Sequence, residues 1–148
     1  MEVLTIARAV HVVAIVIWIG GLAMETMVLL PIAIAGRNDL FERTEQLFAP
    51  IARIATLLAG ASGFYLIYAL DLWDRFSQIE YWWMHSMTAI WAIFSLVLFV
   101  LEPWFLHDWF ERRMAKDRNG TMAQILRMHW ILLGASLVTV FGAVLGAH

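Results

Sequence analysis

The chain is 148 residues long, 62% hydrophobic and only 15% charged, with a formal net charge of −2. That balance excludes an ordinary soluble domain, and the absence of a basic stripe or nucleic-acid motif argues against a nucleic-acid partner. With no cysteine, disulfides, iron–sulfur clusters and thiolate metal sites are excluded as well.

A membrane-spanning helix needs about 20 apolar residues, and four runs reach that length: roughly 6–34, 50–70, 81–105 and 122–147. No A-x-A-like cleavage site follows the first run, so it reads as a permanent helix ending near Pro31 rather than a signal peptide. His11, Trp18 and Glu25 lie on one stripe of this helix, within about 40° of each other. Gly20 and Gly21 between them allow a close approach to the backbone. A polar connection, GRNDLFERTEQLFA, leads to the second run, where Arg53 stands one turn in and Ala59, Gly60 and Gly63 form a small-residue surface. The second connection is DLWDRFSQIE. The third run then opens on YWWMHSM, with His85 one turn inside. Ala89 and Ala92 lie within about 40° of His85 and leave room for a flat ring, while Thr88 sits at the edge of that face. Trp91 points about 120° away, towards lipid or a neighbouring helix. After LHDWFERRMAKDRNG comes the fourth run, carrying His129 and a GxxxG pattern at Gly142 and Gly146 that allows close helix packing.

Long unbroken apolar runs exclude a β-barrel, and only closed hydrogen-bonded elements cross lipid. The expected fold is therefore an all-α integral membrane four-helix bundle. It forms a single domain over 1–148, since no linker or low-complexity segment divides it. Eight basic residues (Arg37, Arg43, Arg53, Arg112, Arg113, Lys116, Arg118, Arg127) flank the first and third connections, against Arg8 and Arg75 on the other side. By the positive-inside rule both termini face the outer, periplasmic side of a multi-pass protein in a bacterial inner (plasma) membrane. Tyr81, Trp82 and Trp83 then belong to the outer aromatic belt, and Trp104 and Trp109 to the inner one.

His11 and His85 are about five and four residues below the outer ends of their helices, which places both rings roughly 6–8 Å in from the same side. Two level histidines on separate helices are what a b-type haem needs, one imidazole on each face, and without cysteine any haem is held non-covalently. Arg8, one turn above His11, can meet a propionate or simply snorkel. Trp18 is either a cofactor wall or core filler, and each histidine is alternatively an interhelical hydrogen-bond partner. Met84 and Met87 flank His85, and His11, His85, Met84 and Met87 together offer a soft N/S site suited to Cu(I). On the inner half, Glu25, Arg53 and His129 lie at similar depth. A Glu25–Arg53 ion pair is expected there, because an unpaired charge in lipid is costly. His129 beside it is a proton relay, a ligand to a second haem, or a satisfied histidine. His107, at the inner boundary, reads as solvated, and His148 is level with the outer site as a substitute ligand.

HVVAIVIWIGGL at 11–22 resembles the H-x6-W-x-G-G-L opening of two related membrane groups, the HemJ-type protoporphyrinogen oxidases and the CopD-type copper-resistance proteins. ERTEQLFAPIARIATLLAGASGFYL is similar to their first loop and second helix, and YWWMHSM resembles the W-x-H-x-K stretch that opens the HemJ third helix. The resemblance implies that His11 and His85 match the histidines of helices 1 and 3, and Trp18 the tryptophan. Met87 stands where the HemJ type has lysine, and His129 where CopD-like proteins tend to have an acidic residue, which leans towards a membrane cytochrome with its own role. The expected function is a haem b-binding membrane redox protein, with one haem, or two if His129 is a ligand. It passes electrons between a periplasmic or membrane donor and quinone, or oxidises a porphyrinogen, as a monomer or homodimer, with Glu25, Arg53 and His129 handling protons. The alternatives are CopD-like copper transport and a structural role as a small subunit of a larger complex.

Overall fold

A computed structural model describes residues 1–146 of the chain, Asn38 by its backbone alone. The described residues form four long helices: α1 (Glu2–Ile34), α2 (Asn38–Ala69), α3 (Ile79–Lys116) and α4 (Arg118–Leu145). All four are long and apolar enough to cross a membrane. The four helices alternate in direction, so the start of α1 and the end of α4 share one end of the bundle, called here the termini end.

Two segments expected to be loops are largely helix. α2 already begins at Asn38, and α3 continues through His107–Lys116. Charged side chains mark the exit from hydrocarbon, not the end of the helical hydrogen-bond ladder. Phe41, Phe110 and Met114 on these extensions pack against buried Leu30, Ala33 and Met122, which holds them in place. The turns left between helices are short. After α1 the Gly36 N–H donates to Ala33 O at 3.0 Å and the Arg37 N–H to Ile32 O at 3.2 Å, with Gly36 at φ +103°. This closure satisfies the last carbonyls of the helix and needs a residue free of Cβ. Asp117 starts α4 by accepting from the Gly120 N–H at 3.0 Å, an N-cap.

Prolines shape the end opposite the termini. Pro31, Pro50 and Pro103 each lie inside a helix and deprive the fourth residue back of its hydrogen-bond donor. In α1 and α3 the strain coincides with a local widening to π-helix, over Glu25–Leu29 and Val97–Leu106. The first of these begins with Glu25, and the second contains Glu102.

α1 packs chiefly on α2, and α3 on α4. The contacts are made by Ala14, Trp18, Leu22, Ala55, Ala59, Ile90 and Leu133. Many large apolar side chains, Val12, Val16, Leu57 and Phe141 among them, face outward instead. Lipid accepts such faces as readily as a core does, so small residues and hydroxyls fill the interior. Thr26, Thr56 and Ser136 are buried and return their hydroxyl protons to the carbonyl four residues back. Ser86 and Thr139 bond across α3 and α4 at 2.6 Å. The GxxxG pattern works within the chain: Gly142 receives the Trp82 ring and Gly146 the Trp83 ring.

Candidate functional site

At the termini end the helices border a half-open cavity of about 270 Å³ whose lining includes His11, Trp18, Met84, Met87, Thr88 and Trp91. Arg8 and Arg75 also border it. The small-residue surface of α2 builds one wall. A Cβ on Gly63 would lie 2.9 Å from His11 Cε1, and one on Gly60 2.5 Å from the Trp91 indole, so both rings rest on bare backbone. Trp91 is fixed there by donating to Thr56 O at 2.9 Å and by an edge contact with Phe64 at 5.4 Å.

His11 is anchored through one nitrogen. Its Nδ1 is 2.9 Å from Ala59 O and 3.1 Å from Ser62 Oγ. A carbonyl only accepts, so Nδ1 carries the proton and Nε2 keeps a lone pair. Among the described residues no hydrogen bond to Nε2 is made. Histidines that bind metal are held in this way, with the far nitrogen donating to a backbone carbonyl. Trp18 is 5% exposed and its Nε1–H has no acceptor among the described residues. A buried unpaired donor costs about 1–3 kcal/mol, and it stands beside the space that His11 faces. Thr88 lines the same space, but its hydroxyl is spent on Met84 O at 2.8 Å.

His85 is not brought to this cavity. Its Nε2 donates to Phe76 O at 2.7 Å and its Nδ1 lies 3.2 Å from Tyr81 O, so the ring ties the connection after α2 to the start of α3. The Phe76 ring meets it edge-on at 5.5 Å. Ala89 and Ala92, read as clearing room beneath His85, are exposed on the outer surface of the bundle. The expected face was right in its spacing and wrong in its direction. α3 turns Met84, Met87, Thr88 and Trp91 inward instead. Met84 and Met87, read from the sequence as sulfur donors of a copper site, line the cavity with His11 but without His85. His148 lies outside the described residues.

The inner half also differs in its pairing. Arg53 lies 3.3 Å from Glu102, not beside Glu25. Glu25 Oε1 instead meets His129 Nε2 at 3.4 Å, while His129 Nδ1 donates to Ile125 O at 2.9 Å. With Nδ1 protonated, one further proton between His129 Nε2 and Glu25 Oε1 preserves the contact on either atom. Both ring nitrogens are thus engaged, and His129 offers no free lone pair to a second haem. His107 is exposed and pairs with Glu111 at 3.3 Å, one turn on. Glu45 of α2 is close enough to Glu25, Glu102 and His129 to interact with their charges. Glu102 escaped the sequence reading, although a lone acid before a proline in an apolar run, VLEPW, was the signal for it. Among the described residues no group of three or more His, Asp or Glu side chains has metal-holding geometry.

Among the described residues, these features define an all-helical chain with four potential membrane spans, a cavity at one end and three acid–base pairs towards the other. No family model matches the chain, and neither does any curated protein or solved structure.

Proposed function

We propose that the chain is a b-type haem-binding integral membrane redox protein, with the haem in the cavity at the termini end and His11 Nε2 as an iron ligand. The observation that carries this reading is the state of His11: Nδ1 is tied to Ala59 O, and Nε2 has no partner among the described residues beside an aromatic-walled cavity. The residues fit the group in other respects. The unpaired Trp18 Nε1–H is a donor for a bound polar atom, and Arg8 and Arg75 supply charge for carboxylates at the rim. The volume of about 270 Å³ lies just below the roughly 300–1,000 Å³ typical of cofactor pockets, so a haem would also occupy the open side of the cleft. A bound haem supplies a one-electron ferric–ferrous couple. Trp18, Phe64 and Trp91 form its aromatic wall, and the Ala59 carbonyl and Ser62 hydroxyl hold the His11 ring in one orientation.

The Glu25–His129 pair serves as a proton-holding site for this chemistry, with Arg53 balancing Glu102. Quinone or a redox protein on the outer side is the partner class. The distribution of basic residues supports a location in a bacterial inner membrane with both termini outside. An absorption spectrum of the protein purified from haem-replete membranes tests the reading. Oxidised and reduced spectra of b type are expected, lost in His11→Ala while the protein stays folded. A wild type without haem, or an unchanged spectrum in His11→Ala, overturns it.

A copper-binding function is the second reading. It is favoured by one observation: Met84 and Met87 line the same cavity as His11, an N/S donor set suited to Cu(I). Titration with Cu(I) alone separates the two, since a copper protein takes the ion stoichiometrically and carries no haem.

A further inference from the structure

Resting on the haem reading, we infer that the iron ligand opposite His11 is the Met87 thioether of α3. The direction of α3 is the first reason. Successive helical residues turn by about 100°. Trp83, Met84, Met87, Thr88 and Trp91 all line the cavity and centre on one direction. His85 points about 130° from that centre. Its Nε2–H already bonds Phe76 O, so bringing it inward would break that contact and rotate the helix.

Level within the bundle is the second reason, and it separates the two methionines. Trp91 rests on Gly60 and bonds Thr56 O, which fixes where α3 stands against α2. His11 rests on Gly63, about one turn nearer the termini end. Because α2 and α3 run in opposite directions, the matching turn of α3 lies three or four residues before Trp91. That is Met87 and Thr88. Thr88 has spent its hydroxyl on Met84 O, which leaves Met87 as the free donor atom at the level of His11. Met84 is a further turn towards the termini and is 6% exposed, packed as wall. A thioether needs no deprotonation and carries no charge, so it costs little to keep in an apolar cavity when no metal is bound.

Methionine opposite histidine raises the haem potential relative to a second nitrogen ligand, and a low-spin ferric haem with sulfur ligation shows a weak far-red charge-transfer band. The wild type loaded with haem should show low-spin spectra with this band. Met87→Leu should abolish both the band and the low-spin signal while haem remains bound through His11. Met87→His should restore the low-spin signal without the band and lower the midpoint potential. His85→Ala should leave the spectrum as in the wild type. The inference is overturned if haem-loaded wild type lacks the band, if Met84→Leu rather than Met87→Leu removes it, or if His85→Ala converts the haem to high spin. Those outcomes leave haem binding intact, whereas a wild type that takes up no haem ends the reading on which the inference rests.

Discussion

Gly63 shows how much can depend on a hydrogen atom. A methyl group there would sit 2.9 Å from His11 Cε1, so Gly63→Ala must push the imidazole away from the Ala59 carbonyl or separate α1 from α2. Overpacking of this kind costs about 1–3 kcal/mol. Thermal unfolding in detergent should show that loss, together with reduced haem per protein. Gly20→Ala is the matched control, because nothing lies within 4 Å of its added carbon. There the gain in helix propensity should stabilise by up to about 1 kcal/mol. His129 makes a second test at this scale. It bonds Ile125 O and Glu25 and does not border the cavity, so His129→Ala should keep the full haem content. Glu25 loses its partner, and stability should fall by about 1–3 kcal/mol. On the proposed proton-holding role, the pH dependence of the haem midpoint potential should also weaken. Loss of half the haem would instead make His129 a ligand.

Single helices reveal what the sequence could and could not convey. Length and hydropathy were enough to find four spans, and Ala59, Gly60 and Gly63 were readable as a close-packing surface. The direction of α3 was not. A helix between lipid and a membrane-protein core is apolar on every side, so hydrophobic periodicity loses its power to say which face looks inward. His85 could be assigned a depth but not a bearing. Partners were obscured for a related reason. Arg53 had a visible acid in Glu25, yet Glu102, set in the π-helical stretch of α3, lies within 3.3 Å. Polarity misled at the helix ends, where charged segments continued as helix because Phe41, Phe110 and Met114 kept an apolar footing. The one tight stop after α1 depends on Gly36 at φ +103°. Gly36→Ala should therefore cost about 1–3 kcal/mol, visible as a lowered unfolding midpoint without loss of the cavity spectrum.

The whole molecule is asymmetric along the membrane normal. α2 has 32 residues and so spans about 48 Å, well beyond a hydrocarbon core of roughly 30 Å. The excess lies at the end opposite the termini, where the basic residues Arg37, Arg43, Arg112, Arg113 and Lys116 also cluster. Such clustering is expected on the cytoplasmic side. A reporter that works only in the cytoplasm should be silent when fused after His148 and active when inserted at residues 36–37. The reverse pattern would invert the orientation while leaving the helix count unchanged.

The depth of the cavity also sets its electrical distance. His11 rests on Gly63, six residues before α2 ends at Ala69, or about 9 Å along the helix axis. A charge arriving from the termini end thus crosses only about a third of the hydrocarbon, whereas one arriving from the other face crosses the remaining two-thirds. Carrying a unit charge across the full membrane is worth about 2.3 kcal/mol per 100 mV, so the shorter route involves only about 0.8 kcal/mol. In sealed vesicles with an imposed potassium diffusion potential, the midpoint of the proposed haem, measured against a redox buffer on the termini side, should move by about a third of the applied voltage. Electron exchange through the near face would then continue almost undisturbed as the membrane charges and discharges.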